Sequence, residues 1–254
     1  MALLTISHLT QFFGGLRAIS DFNIELEHGE IVGLIGPNGA GKTTVFNVLT
    51  GIYVPTKGTI VFDGQNIVGK KTHQITQAGI ARTFQTIRLF SKSSVIDNIK
   101  IAYHSRIPYG DADAFLHTHK YWQGEQFLDD YAIDLLRLFH LEQHADDISG
   151  SLPYGAQRRL EIARALATKP KLLILDEPAA GMNPAEADEL METIRWLRDK
   201  FDLTILLVEH QMRVVMGVCE RIKVMDFGET ICEGLPEHVR NDPRVCEAYL
   251  GKGA

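Results

Sequence analysis

The segment Gly36-Pro37-Asn38-Gly39-Ala40-Gly41-Lys42-Thr43 constrains this chain more than any other feature, because it satisfies the pattern G-x-x-x-x-G-K-[ST] directly after the apolar run Ile31 to Ile35. A buried strand, a glycine-rich loop and a helix in that order form the unit of an α/β sheet that holds a nucleoside triphosphate. The glycines let the backbone curl so that successive N–H groups face one concavity at a helix N-terminus, where they stabilise phosphate anions. Lys42 would reach the β- and γ-phosphates. Thr43 would offer its hydroxyl to Mg²⁺, with Thr44 beside it among the nucleotide-binding residues.

A chain of 254 residues can bury a full core, and it fits one elaborated α/β domain with inserted subdomains. The formal charge of -6 argues against broad electrostatic binding of nucleic acid, which draws on clustered Lys and Arg to replace phosphate counterions. Cys219, Cys232 and Cys246 lack C-x-x-C spacing, so they read as buried free thiols of a reducing compartment rather than a disulfide framework or zinc site. Met1-Ala2-Leu3-Leu4-Thr5 shows no basic region followed by an apolar core, and no run of 18 apolar residues occurs. The expectation is a cytosolic start and a membrane role only through partners.

Residues Leu3 to Glu27 alternate as antiparallel strands, with Ile19, Phe22, Ile24 and Leu26 as apolar positions. Thr43 to Thr50 is expected to be a helix that buries Val45, Phe46, Val48 and Leu49 and stops at Gly51, and Gly58 to Gly64 returns to strand. Between about Asp97 and Ser149 the period becomes helical, with Phe127, Leu128, Tyr131, Leu135, Leu138 and Phe139 at helical spacing, so 97–149 is read as the start and bulk of a helical insertion. Tyr103 to Gly124 has no definable pattern. His117 and His119 within it form an H-x-H without a clear third ligand and are expected in solvent. Leu172 to Leu175 and Thr204 to Val208 are continuous apolar runs of the kind a parallel sheet covered by helices requires. Asn183, Pro184 and Glu186 form a capping box at a helix start. Ile222 to Glu233 reads as a strand pair turned at Asp226-Phe227-Gly228, and 236–254 as a short helical extension interrupted by Pro243.

Leu172-Leu173-Ile174-Leu175-Asp176-Glu177 sets two carboxylates just past a buried strand, where an open parallel sheet presents its ligands. Asp176 would hold Mg²⁺ through water, and Glu177 would polarise the attacking water at the γ-phosphate.

Together with four further segments, these motifs resemble the ATP-binding cassette (ABC) family, and the resemblance covers nearly the whole chain. Thr83-Phe84-Gln85 is similar to the family's Q-loop and Leu152 to Gln157 with Arg158 and Arg159 to its signature segment. Ala180-Gly181-Met182-Asn183 is similar to its D-loop and Val208-Glu209-His210 to its switch histidine. The resemblance implies an α/β P-loop NTPase fold over residues 1–254, with a mainly parallel core sheet, an antiparallel β-subdomain and an inserted helical subdomain. It implies ATP and Mg²⁺ as cofactors, Gln85 linking metal and attacking water to a transmembrane partner, His210 on the γ-phosphate and Phe13 stacked on adenine.

Members of the family work as head-to-tail dimers, so Tyr154, Gly155 and the helix that begins there would close over nucleotide held by a second subunit, with Asn183 at the interface. Where the family usually has Leu-Ser-Gly-Gly-Gln, this chain reads Leu152-Pro153-Tyr154-Gly155-Ala156, which puts the strength of ATP-driven closure in question. The finer resemblance, through Phe13-Gly14-Gly15-Leu16, Arg82 to Phe90, Glu177 to Pro184 and Tyr249-Leu250-Gly251, is to the ATPase subunits of branched-chain amino acid importers. It implies a peripheral subunit on the cytoplasmic face of the membrane. Its partners would be a second, like or sister, ATPase and permeases, with an extracytoplasmic solute-binding protein acting indirectly. The surface after Gln85, including Arg88, Phe90, Val95 and the helical insertion, would receive the coupling helices of the permeases. Alternatives of the same chemistry are an ATPase for another solute such as urea or a lipid, a non-transport cassette ATPase, and a regulatory module without hydrolysis.

Overall fold

A computed structural model describes residues 2–250, in two compact units: one joins the chain up to Gln85 with the chain from Lys171 onward, and the other is Thr86–Pro170. The first unit opens with β1 (Leu4–Phe13) and β2 (Leu16–Leu26), antiparallel strands turned at Gly14-Gly15. On β2 the residues Ile19, Phe22, Ile24 and Leu26 are all buried. Next come β3 (Ile31–Ile35), α1 (Lys42–Leu49), β4 (Lys57–Phe62), β5 (Gln65–Asn66), α2 (Thr72–Ala78) and β6 (Ile80–Arg82).

The second unit holds α3 (Val95–Tyr103), α4 (Asp111–Leu116), α5 (His119–Leu138) and α6 (Tyr154–Ala167). After it the first unit resumes with β7 (Leu172–Asp176), α7 (Pro184–Phe201), β8 (Thr204–Val208), α8 (Met212–Val218), β9 (Arg221–Asp226), β10 (Glu229–Gly234), α9 (Pro236–Asn241) and α10 (Pro243–Leu250).

Two sheets make up the first unit. An antiparallel sheet runs β2-β1-β4-β5, and a six-stranded sheet runs β10-β9-β3-β8-β7-β6, parallel except for the antiparallel edge strand β10. Every residue of β3, β7 and β8 is buried, as strands covered on both faces must be. One apolar core takes in Phe22 and Phe62 from the antiparallel sheet, Phe46 from α1, and Leu172 and Leu206 from the parallel sheet. At 25 cal/mol per Å², burying a side chain of that size stabilises by about 1.5–3 kcal/mol, so this core is what holds the strand ends in place.

In the second unit α5 buries Leu128, Ala132, Leu135 and Leu136, the i, i+4, i+7, i+8 stripe of an amphipathic helix. Phe127 and Leu138 of the expected helical set are exposed, lying beside that stripe rather than in it. Thr118 caps α5 and Ser94 caps α3 through their hydroxyls. The stretch Tyr103 to Gly124, undefined by pattern, folds into a 3₁₀ turn at His104–Arg106, then α4, then the first turns of α5. Its Tyr109 hydroxyl donates to Glu125, and a Cβ at Gly124 would overlap the Tyr109 ring, which is why glycine stands inside this helix. His117 and His119 are both exposed.

The helical unit begins before residue 97 and runs beyond 149, because it takes in α6 as well. Val95 corrects an expectation: as the first residue of α3 it is fully buried and cannot form part of a receiving surface. The cysteines need a similar correction, since Cys219 and Cys232 are buried but Cys246 is exposed. Burial pushes the Cys219 thiol up to about 12, which makes it inert. No helix among the described residues is long and apolar enough to cross a membrane. The expected extension over 236–254 contains α9 and α10, while its end from Gly251 lies outside the described residues.

Candidate active site

Strand β3 delivers the chain into the phosphate loop, and two of the loop's glycines are dictated by space. Gly36 has φ 151°, and a Cβ there would overlap the Met225 carbonyl oxygen; Gly41 has φ 102°, and its Cβ would lie 2.7 Å from the Ala18 carbonyl oxygen. Gly41 is also the N-cap of α1, and it supplies no side chain to cap that helix. The first-turn N–H groups therefore keep the donor capacity that a phosphate would use.

Lys42 is buried, and its Nζ donates to the carbonyls of Gly36 (2.7 Å) and Pro37 (2.9 Å), folding the side chain back over its own loop. Burial pushes this amine below the ordinary lysine range, while the charges of Glu177 and Asp176 act in the opposite direction. A cation held by neutral carbonyls alone gains by exchanging them for phosphate oxygens. Asn38, Gly39 and Thr43 are exposed, Pro37 and Thr44 half-buried, and Ala40 buried. The Gly36 backbone meets the Tyr249 hydroxyl of α10, so the C-terminal helix touches the loop.

Strand β7 ends at Asp176, whose Oδ2 accepts from Arg82 Nη2 at 2.7 Å in a pair that is buried on both sides. The next residue, Glu177, has φ 49°, rare for a side chain of this size, and its N–H is fixed to the Val208 carbonyl at 2.8 Å. That turn aims its carboxylate at two other predicted site residues. Gln85 Nε2 donates to Glu177 Oε2 at 2.6 Å, and His210 Nε2 lies 2.6 Å from Glu177 Oε1. Residues separated by more than 120 positions in sequence, from Gln85 to His210, thus meet on one carboxylate.

Glu209, quoted above only as a neighbour of His210, organises this junction. Its buried carboxylate accepts from the N–H groups of Ala179 (2.6 Å), His210 (3.0 Å) and Gln211 (3.3 Å), tying the residue that precedes the D-loop to the segment after β8. A carboxylate directly following the apolar strand β8 is the same signal as Glu177 directly following β7, and it was there to be read.

Asn183 N-caps α7: its Oδ1 accepts from Ala185 (2.9 Å) and Glu186 (3.1 Å), and Glu186 returns to the Asn183 N–H at 2.8 Å, with Pro184 at the first position. This is the capping box expected from the sequence, and it commits the oxygen that an interface contact would otherwise use. Phe13, at the end of β1, is 40% exposed and packs edge-on against Tyr53 with centroids 5.0 Å apart, so it presents a ring to solvent rather than filling the core.

Tyr154 and Gly155 belong to the other unit, at the first turn of α6. Tyr154 is exposed, a Cβ at Gly155 would meet nothing within 4 Å, and no side chain caps the helix. Pro153 is the N-cap in extended conformation (ψ 150°), so its missing N–H falls outside the helical ladder and leaves α6 intact. Gln157 braces the segment by donating to the Leu152 carbonyl at 2.8 Å, and the buried Arg158–Glu161 pair follows one turn on.

Among the described residues, the group of side chains spaced to hold a metal by His, Cys and carboxylate atoms is Cys232, His238 and Asp242, with ligand atoms within 4.8 Å of one another. Arg244 engages both Asp242 oxygens, holding the carboxyl well below its usual range, and Asp242, the residue before α10, also accepts the Arg244 N–H. A guanidinium in that position opposes a second cation, and Asp242 anchors the start of α10.

The ABC transporter family model matches residues 19–180, and a model for the branched-chain amino acid ATP-binding cassette transporter matches residues 229–254. The chain is 47% identical over 250 residues to the high-affinity branched-chain amino acid transport ATP-binding protein LivG of Escherichia coli K12, covering 98% of each. It is 43% identical over 250 residues to BraF of Pseudomonas aeruginosa, a high-affinity branched-chain amino acid transport ATP-binding protein, again covering 98% of each. Among solved structures, an ATP-binding cassette of an ABC transporter in its ADP conformation superposes with a TM-score of 0.84 at 29% identity, over 99% of this chain and 100% of that one.

Proposed function

Since this chain belongs to the ABC transporter family as an ATP-hydrolysing subunit, we propose that it powers the import of branched-chain amino acids as a peripheral subunit on the cytoplasmic face of the membrane. The convergence of Gln85 and His210 on Glu177, beside the strand end that carries Asp176, supports hydrolysis rather than nucleotide storage. The near full-length likeness to LivG and BraF supports the solute class.

In this reading Lys42 leaves the Gly36 and Pro37 carbonyls for the β- and γ-phosphates, while the loop N–H groups and the start of α1 hold the remaining oxygens. The Thr43 hydroxyl and the Asp176 carboxylate are hard oxygen donors of the kind Mg²⁺ takes, and the bound ion would neutralise charge on the phosphate oxygens. Glu177 orients the water that attacks the γ-phosphorus as the bond to ADP breaks, and His210 contacts the γ-phosphate. Gln85 reports the state of the site to the permease. Phe13 offers its exposed ring to adenine.

A second ATPase subunit completes each site, its Tyr154, Gly155 and uncapped α6 start closing over the nucleotide and its Asn183 loop lying at the joint. ATP drives the permeases only by binding the closed pair better than the open one. Moving that equilibrium from about 1:99 to 99:1 takes roughly 5.5 kcal/mol of differential affinity, which two shared triphosphates can supply. A solute-binding protein outside the membrane delivers the amino acid to the permeases.

Uptake of labelled leucine, with labelled urea in parallel, by cells carrying Glu177→Gln in place of the native chain tests the proposal. Selective loss of leucine uptake is expected. Unchanged leucine uptake, in cells expressing no redundant importer, would move the solute to another class.

A further inference from the structure

Arg82 stands at the end of β6, next to β7, with its side chain only 5% exposed. One arm of its guanidinium donates to Asp176 Oδ2 at 2.7 Å and the other to Asn47 Oδ1 at 2.8 Å. Asn47 lies four residues after Thr43 on α1, one helical turn along the same face. The guanidinium carbon also lies over two rings, 5.3 Å from the Phe46 centroid and 5.0 Å from that of Phe84. Phe46 comes from α1, and Phe84 is the residue before Gln85 in the Q-loop. Arg82 therefore touches the helix of the phosphate loop, the strand end that carries Asp176 and the Q-loop segment at once.

As a device for stability this arrangement is poor. Taking a guanidinium and a carboxylate out of water costs more than a well-packed apolar pair of similar volume, and Arg82 Nε is buried without a hydrogen-bond partner. What the arrangement does supply is geometry: a planar fork with fixed spacing between its arms sets the position of one carboxylate oxygen relative to one helix.

We infer that Arg82 is a positioning residue for metal binding: by bridging Asp176 to Asn47 it fixes the Asp176 carboxylate at the spacing from Thr43 that a Mg²⁺ ion requires. This rests on the reading of Thr43 and Asp176 as the metal's donors. A lysine cannot replace the fork, because a single ammonium on a flexible stem reaches one partner at a time and does not lock the angle between them. Partners that orient metal ligands are worth about 10- to 100-fold in metal affinity or activity, and the lower end suits an ion that keeps several of its waters.

The test is Mn²⁺ binding to the full-length protein with ADP, followed by electron paramagnetic resonance, in Arg82→Lys, Asn47→Ala and Asp176→Asn. ADP affinity in the presence of a chelator is measured alongside. Arg82→Lys should raise the Mn²⁺ dissociation constant about tenfold and leave metal-free ADP affinity at the wild-type value, which a general loss of structure would not do. Asn47→Ala, which removes only the helix-side anchor, should shift it in the same direction by a smaller factor and decides the matter if Arg82→Lys fails to fold. Weakened Mn²⁺ binding in Asp176→Asn alone, with both other variants at the wild-type value, would overturn the role of Arg82 while the metal reading stands. Wild-type Mn²⁺ binding in Asp176→Asn would overturn that reading and the inference with it.

Discussion

In the unit built on β3, β7 and β8 the proposed site side chains stand at strand ends or on the loop that β3 delivers into α1, whereas in the Thr86–Pro170 unit Tyr154 and Gly155 open a helix and are exposed. The first arrangement follows from strands buried on both faces, which leave only their C-terminal ends free to carry Asp176, Glu177 and His210. A helix instead buries one stripe and leaves the rest of its circumference open. In the second unit that openness includes Phe115 at 84%, Leu116 at 70% and Trp122 at 60% exposure around α4 and α5. Chemistry in the first unit is therefore fixed by main-chain topology, while the second unit offers surface.

The two regions should fail in different ways when altered. Leu136→Ala, at a fully buried position of α5, should destabilise the protein by about 2–5 kcal/mol in chemical denaturation and leave the nucleotide affinity of the folded protein unchanged. A matching loss of ATP affinity in that variant would break the distinction. Lys42→Ala should do the reverse, because it removes charge-assisted bonds worth about 1.5–3 kcal/mol to phosphate and so weakens ATP binding about 10- to 150-fold with little change in the unfolding midpoint. Wild-type affinity by equilibrium titration would remove Lys42 from the site. The smallest effect is expected at Asn183→Ala, where loss of the α7 cap should cost about 1 kcal/mol, while Asn183→Asp keeps a capping oxygen and the stability with it. Equal unfolding curves for the wild type and Asn183→Ala would show that the cap does not hold this loop.

The same contrast explains what was legible in the sequence. Apolar runs followed by carboxylates announced β7 and its site, a glycine pattern announced the loop before α1, and Asn183-Pro184 with Glu186 announced the start of α7. These signals are local, and local signals survive in a linear reading. β6, only three residues long, and α2, which buries only Ile75, carry too little periodicity to be seen. Tyr103 to Gly124 was opaque for a related reason: its order comes from Tyr109 packing over Gly124 and pairing with Glu125, contacts that no spacing encodes.

Within the site, the roles of Arg82 and Glu209 depend on partners far along the chain, Asp176 and Ala179 respectively. Both residues were visible only as letters within motifs. The exposure of Phe13 and the burial of Val95 likewise follow from which side of an element faces the core. The second of two adjacent phenylalanines before two glycines, or a valine at a helix start, does not reveal that side.

The most direct test of the account is to compare ATP binding with single-turnover hydrolysis in Glu177→Gln. This variant keeps the shape of the side chain and its contacts with Gln85 and His210 within reach, but loses the carboxylate proposed to polarise water. Wild-type ATP affinity with hydrolysis reduced by roughly 100- to 10,000-fold is the predicted result. Hydrolysis at the wild-type rate would contradict it, because the carboxylate on which Gln85 and His210 converge would then not be the group that activates water.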